Sequence, residues 1–286
     1  MSIKLEDVSY KYRDGNSKKA LSHINLEIHK GEFIGIVGHT GSGKSTLIQH
    51  FNGLMEPSSG RVLFDDQNIH AAGYPLKELR GKVGLSFQYP EHQLFEVTVL
   101  DDVCFGPKNL GLSEEEIEKR AKEALNLVGL GEDYYEKSPF ELSGGQKRRV
   151  AIAGILAMQP EYFILDEPTA GLDPIGRDQI LDLLKSLHEE KGITIILVSH
   201  SMEEIADYVD RILVMDKGHL KYDDIPRKVF EHKEELEKMG LSAPFYSYLT
   251  DDLRAKGFFN EDIKPAITLS EAKEQILQTW KKEHEL

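Results

Sequence analysis

Apolar and polar positions alternate through the start of the chain. Ile3, Leu5, Val8, Tyr10 and Tyr12 recur at close to every second residue, which predicts a half-buried strand over 3–12. A turn at Asp14-Gly15-Asn16 separates it from a second alternating run over 24–28. After Lys30-Gly31-Glu32 comes an unbroken apolar run, Phe33 to Val37, which reads as a fully buried strand. Strands are predicted again over 61–65 and 82–87, with a short helix over 76–80 between them.

The period changes after Gln88. Residues 89–105 form a mixed aromatic stretch. A helix follows over 113–129, with Ser113 as its cap, Glu116 completing a capping box and Gly129 as its stop. Ile117, Ala121, Ala124, Leu125 and Val128 make its apolar face. Strand and helix signals then alternate: a buried strand over 162–165, a helix over 177–190, a buried strand over 193–198 and a hairpin around Asp216-Lys217-Gly218. Composition shifts again from Ile225. Val229, Leu236 and Met239 mark a helix, and 243–264 is loop-rich. Thr268 and Glu271 form a capping box for a last helix carrying Ala272, Ile276, Leu277 and Trp280. The order predicts an α/β fold with an antiparallel lead-in, a helical insertion and a helical tail.

Candidate chemistry concentrates at the ends of the buried strands. Phe33–Val37 runs into Gly38-His39-Thr40-Gly41-Ser42-Gly43-Lys44-Ser45-Thr46 and then an apolar-periodic helix. This is G-x-x-x-x-G-K-S between strand and helix, the context in which it binds a nucleoside triphosphate. The glycines let successive N–H groups turn inward, the helix start adds more, Lys44 reaches the β- and γ-phosphates, and Ser45 offers a hydroxyl to Mg²⁺. The apolar strand Tyr162–Leu165 ends in Asp166 and Glu167. Neighbouring strand residues face opposite ways, so one carboxylate suits a metal and the other an attacking water. Leu142-Ser143-Gly144-Gly145-Gln146 opens a second helix N-terminus suited to an anion. Gln88 and His200 each end a strand. Taken singly, the first reads as a loop residue and the second as a structural histidine. Tyr12 and Tyr10 compete as an aromatic platform beside the glycine loop.

Composition narrows the classes. The 286 residues carry a formal net charge of −14, which argues against nucleic acid or anionic lipid as the main partner. Cys104 is the single cysteine, so no internal disulfide forms and a reducing compartment fits. The first residues lack a secretory h-region, and no stretch approaches the ~20 apolar residues of a spanning helix, so direct membrane insertion is not expected.

Together these stretches resemble the ATP-binding cassette (ABC) ATPases over about residues 1–225. Gly38 to Ser45 matches Walker A, Gln88 the Q-loop, Leu142 to Gln146 the family signature, and Phe163 to Glu167 Walker B. Ala170 to Asp173 matches the D-loop, His200 the switch histidine and Tyr12 the adenine-stacking aromatic. The resemblance implies a P-loop cassette: a mixed sheet core with an antiparallel β-subdomain over residues 1–225, and a helical subdomain at about 89–160. It implies ATP and Mg²⁺, with Ser45, Gln88 and Asp166 at the metal, and Lys44, Gln88, Glu167 and His200 as catalytic groups. Gln88-Tyr89-Pro90-Glu91-His92-Gln93-Leu94-Phe95 further resembles the Q-helix of energy-coupling factor transporters, and in particular the second of their two ATPase types. That likeness implies a peripheral subunit at the cytoplasmic face of the cell membrane, powering uptake of vitamins or transition-metal ions. Its implied partners are a second ATPase, different or identical, a transmembrane coupling subunit met through Gln88–Phe95, and an exchangeable membrane-embedded substrate-binding subunit. The tail, 226–286, is implied as an ATPase–ATPase contact. Other ABC transporters, and ABC proteins that do not transport, are the alternatives.

Overall fold

A computed structural model describes residues 1–12, 19–260 and 262–283. The turn expected at Asp14-Gly15-Asn16 lies outside the described residues. The alternating runs form β1 (Ser2–Tyr10) and β2 (Leu21–His29), paired antiparallel. The alternation of β1 is imperfect because a bulge interrupts it: Asp7 takes φ 51° and the register shifts between Leu5 and Val8. The strand ends at Tyr10, so Tyr12 lies past it. The apolar run is β3 (Phe33–Val37), followed by α1 (Lys44–Phe51), β4 (Ser59–Phe64), β5 (Gln67–Asn68), α2 (Leu76–Lys82) and β6 (Val83–Ser86).

The insertion holds α3 (Val99–Leu110), α4 (Glu114–Leu127) and α5 (Gly144–Leu156). Helix α3 begins inside the mixed aromatic stretch, within the part expected as a helical insertion. Thr98 caps it through the Asp101 N–H, while Pro107 inside it hides the helical signal. In α4, Ser113 caps as expected, but the Glu116 carboxylate is held by Arg120 Nε at 2.6 Å rather than closing the capping box.

Next come β7 (Tyr162–Asp166), α6 (Pro174–Lys191), β8 (Thr194–Val198), α7 (Met202–Tyr208), β9 (Arg211–Asp216) and β10 (His219–Asp224). The tail contains α8 (Pro226–Val229), α9 (Lys233–Lys238), α10 (Phe245–Ala255) and α11 (Leu269–Glu283). A 3-10 turn, Phe230–His232, separates α8 from α9 where one helix was expected. Helix α10 lies in the stretch expected as loop. Its buried side includes Ser247 and Thr250, polar residues that break an apolar period.

The strands form two sheets, a four-stranded antiparallel one in the order β2-β1-β4-β5 and a six-stranded one in the order β10-β9-β3-β8-β7-β6. In the second sheet only β10 runs antiparallel to its neighbour. Residues of β3 alternate between two cores. Ile34 and Ile36 face α1 and the antiparallel sheet, with Leu47, Phe51 and Leu5. Phe33 and Val37 belong to the other core, shared with Val103 and Val150 of the insertion and with Val229, Phe230 and Leu236 of the tail. Because β3, β6, β7 and β8 are parallel, their C-terminal ends open on one edge. Asp166 is the last residue of β7, and the glycine loop, Gln88, Glu167 and His200 follow the ends of β3, β6, β7 and β8.

Candidate active site

The loop from Gly38 to Gly43 is glycine-dependent for two separable reasons. A Cβ on Gly38 would lie 2.4 Å from Met215 O and 2.5 Å from Ser42 Oγ. Gly43, with φ 108°, is the left-handed N-cap of α1, and a Cβ there would meet Ala20 O at 2.6 Å. No side chain caps α1. Leu47 is the first residue to bond back into the helix, to Gly43 O at 2.8 Å. The N–H groups of Lys44, Ser45 and Thr46 therefore head the helix without a helical partner, as an anion site requires.

Lys44 is buried, and its ammonium donates to Gly38 O at 2.6 Å and His39 O at 3.3 Å. Burial lowers its pKa, opposed by the charges of Glu167 and Asp166. Asp166, at the end of β7, is also buried, and burial raises its carboxyl pKa; a hydrogen bond from Ser45 and the charge of Lys44 pull the other way. Ser45 and Asp166 are thus adjacent oxygen donors beside a cation and a free helix start. Among the described residues no group of three or more His, Cys, Asp or Glu side chains could hold a metal. The donors present fit Mg²⁺, which keeps few protein ligands and completes its shell with phosphate and water. His39 braces the loop, with Nδ1 2.7 Å from Thr40 O and Nε2 3.1 Å from Asp216 Oδ1.

Glu167 leaves the strand. Its N–H still donates to Val198 O at 3.0 Å, but its φ of 51° is left-handed. That turn, together with strand alternation, parts it from Asp166. One carboxylate oxygen accepts from Gln88 Nε2 at 2.8 Å and the other lies 2.6 Å from His200 Nε2. Gln88 and His200, remote in sequence, thus meet at Glu167, the first through a hydrogen bond and the second through a close Nε2–Oε1 contact.

Tyr12 is 40% exposed and its hydroxyl lies 2.9 Å from Thr46 Oγ1. Tyr10 is wedged edge-on between Tyr12 and His50, with ring centroids 5.0 and 5.1 Å away. Of the two, Tyr12 presents a free face beside the loop.

Ser143 and Gln146 make a reciprocal capping box at the start of α5. The Gln146 side-chain oxygen accepts from the Ser143 N–H at 3.0 Å to close the box, and its amide also donates to Tyr134 OH at 3.2 Å. Gly144 and Gly145 have open space where a Cβ would stand. Among the described residues no hydrogen bond or ion pair joins Ser143–Gln146 to residues 38–46.

Sequence reading missed Glu204. This buried carboxylate accepts from Ser199 Oγ at 2.7 Å and from Thr169 Oγ1 at 3.2 Å, tying the segment after Glu167 to the one before His200. Burial raises its pKa against those two hydrogen bonds. The available signal was Ser201-x-x-Glu204, a capping pattern.

The family model for ABC transporters matches residues 21–170. The chain belongs to the ABC transporter family. The fold is accordingly the α/β P-loop cassette. This ABC ATPase is 56% identical to the energy-coupling factor transporter ATP-binding protein EcfA2 of Clostridium tetani, over 98% of both chains. It superposes on cbiO1 of Clostridium perfringens, described as part of the ABC transporter complex cbiONQ, with a TM-score of 0.74 and 44% identity over 87% of this chain and 98% of that one. It is also similar to the cassette MJ0796, solved as a dimer in a post-hydrolysis state with ADP and Pi, with a TM-score of 0.70 and 35% identity over 78% of this chain and 98% of that one.

Proposed function

We propose that the chain is the ATP-hydrolysing motor subunit of an energy-coupling factor importer for vitamins or transition-metal ions. The observation that carries the hydrolytic reading is Glu167, held by Gln88 and His200 at the sheet edge that also bears the Lys44 loop. The N–H groups of residues 38–46 and Lys44 hold the triphosphate, and Tyr12 stacks on adenine. Ser45, Asp166 and Gln88 hold Mg²⁺, which when bound neutralises phosphate charge. Glu167 polarises the attacking water and accepts its proton, and His200 orients Glu167 and contacts the γ-phosphate. Positioning and charge stabilisation supply most of the rate, because phosphoryl transfer asks little covalent chemistry of the protein.

The signature Ser143, Gly144, Gly145 and Gln146 caps the γ-phosphate on a second ATPase subunit, different from this chain or identical to it. The open backbone at Gly144 and Gly145 supports this. So does the dimeric MJ0796 cassette. Residues 1–225 are the nucleotide-binding part, with its helical subdomain at about 89–160. Residues 226–286 supply ATPase–ATPase contact, and Leu269, Leu277 and Trp280 on α11 are exposed as such a contact needs.

The transmembrane coupling subunit docks on the Gln88–Phe95 segment. Beside it lies a cleft of about 630 Å³, lined among others by Leu94, Phe95, Phe105, Leu110 and Met158. Phe95 is 57% exposed and meets Phe105 edge-on at 4.9 Å. An apolar mouth of this kind suits a partner helix. No described helix is long and apolar enough to cross a membrane, so the docked subunit holds this one at the cytoplasmic face. An exchangeable membrane-embedded subunit selects the cargo.

The test is to replace Leu94 and Phe95 by Ser and purify from detergent-solubilised membranes. The wild-type chain should bring down two integral proteins and a second ATPase, and the variant should lose the integral pair while still binding ATP. A variant that keeps both integral proteins removes the docking assignment.

A further inference from the structure

Arg148 is 2% exposed. A guanidinium does not shed its charge, so burial requires partners on every side. It has them. Nε donates to Glu91 Oε2 at 3.0 Å and Nη2 to Glu91 Oε1 at 2.7 Å, while Nη1 donates to Pro168 O and to Ala170 O, both at 2.8 Å. Glu91 lies in the turn Pro90–Gln93, within the docking segment. Pro168 and Ala170 lie in the turn that follows Glu167, and the Ala170 N–H closes that turn on Glu167 O at 3.2 Å. Glu204 accepts from the hydroxyl of Thr169, the residue between the two whose carbonyls Arg148 holds.

The turn after Glu167 is thus held twice, by Arg148 through the Pro168 and Ala170 carbonyls and by Glu204 through the Thr169 hydroxyl. Only the Arg148 grip continues into the docking segment. A planar fork bonded to a carboxylate at one end and to two carbonyls at the other is a stiff lever, since moving one end without the other breaks charge-assisted hydrogen bonds. Gln88 also joins the docking segment to Glu167, but through the Glu167 side chain. Arg148 acts on the backbone instead, which sets where that side chain starts.

We propose that Arg148 is a positioning residue that couples displacement of the Glu91 turn to the placement of Glu167. The coupling rests on the docking reading above; the grip on the Glu167 turn does not. A lysine at 148 keeps the charge but cannot make the fork, so the turn loses its outer support.

The test uses the assembled transporter, reconstituted in vesicles with its membrane subunits. For Arg148→Lys, kcat for ATP hydrolysis should fall by about 10- to 100-fold, the scale of a misplaced reacting group, with the KM for ATP within about twofold of wild type. Because removing a buried fork can harm folding, Glu91→Gln serves as the second variant, keeping volume and one acceptor. Here the amount of cargo moved per ATP hydrolysed should fall by about fivefold or more. The double variant should be no worse than Arg148→Lys alone, since both cut one link. A Glu91→Gln transporter with wild-type cargo per ATP overturns the coupling, as does a double variant whose losses multiply. Loss of membrane subunits from Glu91→Gln would make Glu91 a docking contact and overturn it also. If Leu94 and Phe95 prove dispensable for assembly, the docking reading fails by itself, and the kcat loss of Arg148→Lys still reports on the grip.

Discussion

His200 Nε2 and Glu167 Oε1 are 2.6 Å apart, although β8 and the whole of α6 separate them in sequence. With Gln88 on the other oxygen, the Glu167 carboxylate is directed rather than free to rotate. Glu167→Gln keeps the shape and removes the carboxylate proposed as the base. ATP and Mg²⁺ should still bind, while turnover in the assembled complex drops by roughly 10²–10⁴, the range of general base catalysis. His200→Ala should be slow as well, with a smaller loss if it mainly orients Glu167. Single-turnover hydrolysis measures both, and near-normal turnover by Glu167→Gln would contradict the role.

Tyr12 offers a face and Tyr10 does not. Tyr12→Ala should weaken ATP binding by about 1–3 kcal/mol, the scale of base–aromatic stacking, and Tyr12→Phe by much less. Tyr10→Phe should leave affinity near wild type. Titration with a fluorescent ATP analogue compares them. Equal losses at both positions would remove Tyr12 as the platform.

Ser143→Arg separates sites built within one chain from sites shared between two. Ser143 has no link to the Lys44 loop among the described residues, so ATP affinity of the isolated variant should barely change. Hydrolysis by the complex should fall, because in the proposed shared site a bulky cation would block the helix start assigned to the partner's nucleotide. Loss of ATP binding by the lone folded variant would place the signature in its own chain's site.

The tail shares a core with the cassette through Val229, Phe230, Leu236 and Ala243. A chain ending at Asp224 should still fold, because the strands and site are complete before it, but with a lowered Tm from uncovering that surface. It should also associate less without nucleotide. Light scattering and thermal unfolding test the two effects separately. Unchanged association in the shortened chain would remove the tail from the dimer contact.

His50 and His70 are held below their ordinary pKa of 6.5, chiefly by burial. The unfolded chain takes up protons at these sites first as pH falls. Their contribution to stability is therefore full above about pH 6.5 and declines as pH drops toward the lowered folded values. The buried carboxyls of Asp166 and Glu204, raised by burial, act in the opposite sense as pH rises. Tm recorded between about pH 7.5 and 5.5 should fall, and His50→Gln should flatten the decline. An unaltered slope would clear His50 of the effect.

Much of the site was legible because its groups stand at ends of buried strands, where apolar runs stop abruptly at polar residues. Lys44, Asp166, Glu167 and His200 each follow such a stop. The sheet order was not legible from period alone, and neither was the closure of Gln88 on Glu167, since both depend on contacts between distant segments. Helix α3 was hidden by Pro107, and α10 by the buried polar residues Ser247 and Thr250; Thr250 Oγ1 donates to Tyr246 O at 3.0 Å and accepts from the Ala266 N–H at 3.1 Å. Arg148 and Glu91 lie 57 residues apart, and nothing in either stretch marks them as partners. Their pairing exists only once α5 is laid against the Pro90–Gln93 turn.

The strand order β3-β8-β7 has a consequence for the nascent chain. The strand carrying the glycine loop and the strand carrying Asp166 do not touch; β8, made later than either, lies between them. A ribosome that has released only the first 190 or so residues holds a chain with both halves of its hydrolytic chemistry and nothing to fix their spacing. Insertion of β8 joins the halves and, in the same event, delivers His200.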